Sequence, residues 1–560
     1  MQNPRIRRRA TDCLGLALAV ALAGCMASCG GAAAGSGPTG SGGAAGAGGS
    51  AATGGTIGVA GAPGAAGASG TGGGTATGGS RATGGGPGTG GGVGSGGGTG
   101  TGGTTATGTG GVTATGGAGG APTGACGSGD PNLPKEPSLP SAVCTTLTAT
   151  QTVAAGGVAS ESKPDTSAIQ AVLNACGAGQ AVKLVAGGGN DAFLIGPIKI
   201  PSGVTLWVDT GVTLYGTRDP SLYGAATSLI AVTGAGAGIV GDGVIDGQGG
   251  EPNIGSTQSW WDQNAGSSGN SPALIQVSGA TNFTLYRIRL QNSPKFHVKL
   301  SASGFVVWGV TIKTPSKATN SVGTALTYSN AHNTDGIDPG QSATNGTIAC
   351  SFISTGDDHI AIKGSSASGV SNLTIAHNHF QAGHGMSIGS EFTGGVSGIK
   401  VYDLSIDGTG ANTSGGSSNG IRIKSDSSRG GLVNDVTYSD VCMRDVSNPI
   451  LLTPFYSSAT GSDIPQYTNI KFQNIHVVSG GSNTPKVTLD GYDGAHLNSV
   501  TLDNVVVDGL SASNLHAQYT NVTLGPGAVS FTPSGTGVTV TNDIAGSSTP
   551  NPCTNKWVSF

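Results

Sequence analysis

From about Cys126 onward the chain alternates short apolar runs with polar punctuation. Runs of Val, Ile, Leu, Phe and Thr recur about every twenty to thirty residues, a spacing in the range of coiled repeats. Successive examples are Phe283-Thr284-Leu285-Tyr286, Phe305-Val306-Val307-Trp308, Thr347-Ile348-Ala349-Cys350, Leu373-Thr374-Ile375-Ala376, Ile399-Lys400-Val401-Tyr402, Val436-Thr437-Tyr438, Ile470-Lys471-Phe472 and Val500-Thr501-Leu502. Gly, Asn, Asp and Ser fill the intervals. Helical periodicity is convincing at one place, Thr166 to Asn174, where Ile169, Val172 and Leu173 fall on one face. Regular strands without Asn-Gly hairpin turns between them predict an all-β chain, a right-handed parallel β-helix whose first open end is capped by that short helix. A β-sandwich also has short strands and turns and is the structural alternative; the period favours the coil.

Coiling has a chemical consequence, because residues one repeat apart become neighbours at about 4.8 Å per rung. Four polar signatures lie in order: Asn333-Thr334-Asp335, Gly356-Asp357-Asp358, Gly383-His384-Gly385 and Arg422-Ile423-Lys424. Asp335 and Asp358 are about one repeat apart, and His384 follows about one repeat later, so the three are expected to stack. Alternation through Gly420-Ile421-Arg422-Ile423-Lys424 turns both cations to the outside of the coil. Alone, that pair reads as a charged edge that discourages strand aggregation. Beside three aspartates it reads as a grip on a substrate carboxylate, Arg bidentate and Lys as a point charge. Crowded carboxylates cannot all ionise cheaply, so one is expected to stay protonated as a general acid while another activates water. Glycines on both sides of His384 permit close approach. Asp338 reads as an ordinary turn residue, and His359 is assigned no role. The polar stretch Thr409 to Asn419 reads either as a loop shaping access to the cleft or as a solvated loop.

Composition divides the 560 residues unevenly. Arg5, Arg7, Arg8 and Arg9 precede a short apolar run, Leu14 to Leu22, which has the form of a signal peptide over residues 1–24. It closes on Leu22-Ala23-Gly24-Cys25, similar to a bacterial lipobox in which Cys25 would be lipidated. Residues 25–125 are dominated by Gly, Ala, Thr and Ser with few aliphatics, and read as a flexible linker that cannot bury enough apolar surface to order itself. Most of the 105 glycines lie there, so the whole-chain apolar fraction of 36% understates that of the catalytic domain, residues 126–560. These features predict export, to the cell surface or outer membrane as a lipoprotein or to the medium, with membrane contact only through the anchor. A net charge of -4 without a basic run beyond the signal peptide argues against nucleic acid. Cys126, Cys144, Cys176, Cys350, Cys442 and Cys553 match no metal motif. Cys144 with Cys176 is the favoured disulfide; Cys126 with Cys553 would join the ends, and Cys350 and Cys442 read as buried free thiols.

The four signatures together resemble the polygalacturonases of glycoside hydrolase family 28, pectin-degrading right-handed β-helices with these motifs in this order. Longer segments are similar to the bacterial endopolygalacturonases: Val244-Ile245-Asp246-Gly247-Gln248-Gly249-Gly250, Asn292-Ser293-Pro294-Lys295-Phe296-His297-Val298 and Asn333-Thr334-Asp335-Gly336-Ile337-Asp338-Pro339. The likeness covers about Cys144 to Val506. It implies a monomer that hydrolyses α-1,4-linked galacturonate with inversion, within the polymer, and needs neither metal nor other cofactor. Carried over by motif, Asp357 is the general acid and Asp335 and Asp358 activate water. His384 would hold a neighbouring carboxyl in its working protonation state, Arg422 and Lys424 would bind substrate carboxylate, Asn333 would support the groove and Tyr456 would contact substrate. Two rivals are an exo-acting or branched-pectin hydrolase of the same family and a calcium-dependent pectate lyase on the same fold. A non-enzymatic adhesin would explain the coil but not the stacked acids.

Overall fold

Alternating Ile, Val and Leu give each strand one apolar face, and stacking such strands in parallel buries those faces in a continuous column. The computed structural model describes residues 126–558 apart from 266–268, 366–367, 410–418, 479–481, 543–550 and 552. The expected signal peptide, Cys25, the Gly-rich linker and most of the Thr409 to Asn419 stretch lie outside these residues.

The described chain is a right-handed parallel β-helix. Every pairing between its named strands is parallel, each strand bonding to its counterpart on the next rung. Three faces result, each with inward side chains stacked in files along the coil. One file runs Leu285, Val307, Ile348, Ile375, Val401, Tyr438, Phe472 and Leu502, which gathers all eight apolar runs of the sequence on one sheet. Tyr438 and Phe472 stack within it, ring centroids 5.4 Å apart. A second runs Leu290, Ile312, Ile353, Phe380, Ile406 and Met443. The third, Val298, Ile337, Ile360, Met386, Ile421 and Ile450, backs the functional groove. One corner is held by left-handed residues on successive rungs, among them Cys350, His377, Asp403, Asp440, Asn474 and Asn504 with φ between 48° and 57°. Asn and Asp tolerate that conformation, which accounts for part of the polar punctuation. Asn504 donates to Asn474 at 2.8 Å, so these amides also ladder along the coil.

The first helix, α1 (Thr166–Ala175), buries Ile169 and Leu173 over the first rungs. Cys176, just after it, is bonded to Cys144 in the first strand. The other cysteines differ from expectation. Cys350 is bonded to Cys126 and Cys442 to Cys553, so neither is a free thiol and the two end segments are not joined to each other. Each end segment instead folds back along the coil: Tyr286 donates to Glu136 at 2.8 Å, and Trp557 lies under Arg444 at 4.6 Å. A second helix, α2 (Trp260–Asn264), was not evident from periodicity because it spans five residues. Ser259 and Asp262 close a reciprocal capping box at its start. Its Trp261 donates to the Ser293 carbonyl at 2.8 Å and Asn264 to that of Pro294 at 2.8 Å, fixing the turn that leads into the groove.

Candidate active site

The groove sheet comprises β1 (Ala273–Thr281), β2 (Val298–Ser303), β3 (Ile337–Pro339), β4 (Ile360–Ile362), β5 (Met386–Gly389), β6 (Asn419–Lys424) and β7 (Asn448–Thr453). Its inward isoleucines fix the register, and every second residue therefore faces out. Lys299, Asp338, Ala361, Ser387 and Arg422 form one outward file; Asp338 and Ser387 belong to it through the pairings of their own strands. Lys363 and Lys424 stand two residues further along their rungs. Asp335, Asp358 and His384 each enter the sheet two residues before the inward residue of β3, β4 and β5, so they occupy three consecutive rungs, as the spacing requires. The main chain repeats the stack: Gly336 N donates to Asp358 O at 2.9 Å and His359 N to Gly385 O at 3.1 Å.

Asp358 is buried and clamped by cations. Arg422 Nη2 and Ser387 Oγ (2.8 Å) donate to its Oδ1, Lys424 Nζ to its Oδ2 at 3.0 Å, and Arg422 Nε to Ser387 Oγ at 3.1 Å. Burial alone would raise its pKa, but the Arg422 and Lys424 charges outweigh it and hold the carboxyl far below the usual range. Arg422 and Lys424 do face out from the coil, yet both are nearly inaccessible because this network covers them. Asp357, partly exposed at the turn before β4, shares a hydrogen bond with His384 Nδ1 at 3.0 Å. Burial pushes its pKa up; the His384 hydrogen bond and charge more than offset that, so it too is lowered.

Asp335 has the opposite character. Burial, then the charges of Asp338, Asp357 and Asp358, push its pKa well up against the pull of Lys363, whose Nζ is 3.4 Å away. Asp338 is also buried, 3.5 Å from the same ammonium, with a pKa raised to about 6, chiefly by burial. Asp335 Oδ1 and Asp338 Oδ1 have no hydrogen-bond partner among the described residues. Two expectations are thereby corrected. Asp338 is not a turn residue but an outward strand residue of the site, and crowding raises Asp335 and Asp338 rather than Asp357. Asp357 escapes because it is less enclosed and has His384 beside it.

Lys363 and Ser387 were missed. The alternation that exposed Arg422 and Lys424 holds two rungs earlier, where Ile360 and Ile362 point in and Lys363 points out, so the signal was present. His359, assigned no role, is a buried support: its Nε2 donates to Gln381 O at 3.0 Å, its Nδ1 accepts from Gly385 N at 3.0 Å, and its ring stacks on Phe380. Burial lowers its pKa to about 4, so it is neutral there. His297 does the same for Asp335, donating from Nδ1 to its carbonyl at 3.0 Å and accepting from Thr314 Oγ1 at 2.7 Å. Tyr456 is 46% exposed, its ring 4.8 Å from Lys424 Nζ, at the mouth of the groove. Asn333 sits at φ 55°, half-buried at the turn into Asp335.

Asp357, Asp358 and His384 each bring a ligand atom within 4.8 Å of the others. The set does not fit calcium, which takes six to eight oxygens. Both Asp358 oxygens are already engaged by cations, and two positive charges stand where the ion would be.

Residues 176–529 match the family described as "Glycosyl hydrolases family 28". The chain belongs to this family. It is a glycoside hydrolase. Over 470 residues it is 43% identical to a polygalacturonase of Ralstonia nicotianae, spanning 74% of this chain and 87% of that protein. An endo-polygalacturonase of Pectobacterium carotovorum subsp. carotovorum is 41% identical over 400 residues, 68% of this chain and 90% of the relative. Among solved structures, polygalacturonase from Erwinia carotovora ssp. carotovora superposes with a TM-score of 0.59 at 38% identity, covering 70% of this chain and 98% of that one. The calcium-dependent lyase reading is not favoured by any of these observations.

Proposed function

We propose that this family 28 enzyme hydrolyses the α-1,4-galacturonosidic bonds of polygalacturonate and pectin within the polymer, by an inverting acid-base mechanism. The observation that carries the reading is the pairing of two differently tuned centres across one rung: Asp357 with His384 on one side, Asp335 beside a cation-clamped Asp358 on the other.

Asp357 gives its proton to the glycosidic oxygen as the bond to the anomeric carbon breaks. His384 Nδ1, 3.0 Å from Asp357 Oδ1, holds that carboxyl in its working protonation state, and an arriving uronate that excludes water raises the cost of charge on Asp357. Asp335 and Asp358 hold the attacking water on the opposite face. Asp358, kept ionised by Arg422 and Lys424, orients it, and Asp335 takes its proton, since a base with a raised pKa accepts a proton more readily than one held far down. The three aspartates are more crowded than the usual separation for inversion, and carboxylate distance alone does not set the outcome. Arg422, Lys424 and Tyr456 bind the uronate leaving in the direction of β6, and Asn333 shapes the turn before Asp335. Exposed Phe455 and Tyr456 beyond the acids support an open groove, and an open groove suits attack within a chain.

The same proposal covers the rest of the chain: residues 1–24 direct export, Cys25 carries the lipid, and residues 25–125 tether a monomeric catalytic domain. Among the described residues no helix is long and apolar enough to cross a membrane. The direct test digests polygalacturonate while following reducing ends, ultraviolet absorbance and product lengths. Rising reducing ends with intermediate-length oligomers and no absorbance fit the proposal; an absorbing unsaturated product means lyase chemistry, and monomer alone means exo action.

A further inference from the structure

Residues 127–142 connect the coil to everything before them and lie as a strap across an outward row of apolar side chains. Val240, Tyr286, Trp308 and Ala349 pair rung to rung on the parity opposite to the inward Leu285, Val307 and Ile348, so they face away from the core. They are buried all the same, because Leu133 and Leu139 of the strap pack against them. Glu136 of the strap accepts from the Tyr286 hydroxyl at 2.8 Å. Between these contacts Lys135 is exposed, and it is the one basic residue of the strap.

The strap's charged hold on the coil is Asp130. His377, at the corner of the coil, stands between two carboxylates: Asp403 Oδ2 is 2.6 Å from its Nδ1 and Asp130 Oδ2 is 3.0 Å from its Nε2. Carboxylate oxygens accept and a neutral imidazole carries one N–H, so only the protonated ring donates to both. The groups that face His377 are Asp130 from the strap, Tyr402 and Asp403 from the next rung, and, across Asp403, Lys556 of the trailing segment. His379 shares its rung but meets Ser405 at 2.7 Å and is lowered by burial. The Asp403 hydrogen bond, opposed by burial and reinforced by Asp130, raises the His377 pKa. A contribution of that sign is present in full below the ordinary histidine value and is lost as pH rises through the raised one. On deprotonation Asp403 keeps Lys556, whereas the partners left to Asp130 among the described residues, the Tyr402 hydroxyl at 2.7 Å and Asn132, are neutral.

We propose that His377 is a pH-sensitive latch on this strap: protonated, it ties Asp130 to Asp403 and keeps the strap closed over Tyr286 and Trp308; neutral, it releases Asp130 and opens the strap to proteases at Lys135. The bond from Cys126 to Cys350 holds the first residue of this region on the coil in both states, so the segment that opens lies between Cys126 and the strand Val143–Thr148. Cutting after Lys135 leaves residues 1–135 attached to the coil through that disulfide. The pH therefore governs how readily the chain is cut between the coil and the stretch that precedes it, whatever polymer the groove accepts.

The test digests full-length wild type, His377→Gln and Asp130→Asn with trypsin from about pH 5.5 to about pH 8.5, a range that spans the ordinary and the raised histidine titration. Mass spectrometry follows cleavage after Lys135, divided at each pH by cleavage of a free peptide of the strap sequence, which removes the protease's own pH response. Loss of one charge-assisted contact changes a local opening equilibrium roughly tenfold, so the wild-type ratio is expected to rise by about that factor from acid to alkaline pH. Both variants are expected to stay near the alkaline wild-type level throughout, with the groove's turnover unchanged. Asp130→Asn alters the strap alone and decides the matter should His377→Gln lose the fold of the coil. A wild-type ratio that stays flat with pH, or the same rise in a folded variant, would overturn the latch.

Discussion

At the scale of single residues, the site separates four aspartates by environment rather than by type. Asp358 and Asp335 are neighbours on consecutive rungs, yet one is held ionised by Arg422 and Lys424 and the other is pushed toward protonation by burial and like charge. Asp357→Asn keeps shape and removes the proton donor, so kcat on polygalacturonate is expected to fall about a hundred- to ten-thousand-fold while oligomer binding persists. Steady-state kinetics beside calorimetry check both halves. Lys363 pulls the Asp335 pKa down, so Lys363→Met raises it and leaves less Asp335 ionised at any given pH. The acid limb of the rate profile should therefore move to higher pH, with the alkaline limb in place; a limb that stays put would remove Asp335 from the role of base. Arg422→Ala leaves the buried Asp358 with half its compensation. Breaking such a pair costs about 3–5 kcal/mol, so this variant is expected to lose stability as well as binding, which denaturant melts at neutral pH would register.

At the scale of elements, the turn carrying His384 depends on close approach. Gly385 has φ +86°, and a Cβ there would lie 2.0 Å from the Gly420 carbonyl and 2.5 Å from that of Asn419. Gly385→Ala should therefore displace β5 from β6 and lower activity more than stability elsewhere in the coil; a fully active, equally stable alanine variant would contradict the packing. Legibility in the sequence follows the same geometry. All eight visible runs belong to one face, and strand length does not explain why, since Thr284–Tyr286 and Val306–Trp308 are as short as β3 and β4. Asp338 was misread because Ile337-Asp338-Pro339 has the composition of a turn and its burial arises only from the rungs on either side. His384 was legible as a site residue, but its partner was not: the bond to Asp357 is set by the fold of the two turns, not by rung spacing.

At the scale of the molecule, both end segments are fastened to the same corner of the coil. Asp130 meets His377 and Tyr402, Asp403 meets His377 and Lys556, and disulfides to Cys350 and Cys442 lock the two segments down. Sequence could not reveal these bonds because the partners lie 224 and 111 residues apart and meet only once the coil has wound. Cys350→Ser is expected to destabilise the domain by about 2–5 kcal/mol, readable as a lower melting temperature, while the groove on another face keeps its activity. Removal of residues 1–125 should likewise leave turnover unchanged. The central claim is that the tuned acids hydrolyse α-linked galacturonate with inversion, and proton NMR of the first products tests it most directly. The account predicts β-configured reducing ends that appear first and then mutarotate. α-Configured ends at the earliest times, or vinyl protons of an unsaturated sugar, would contradict it.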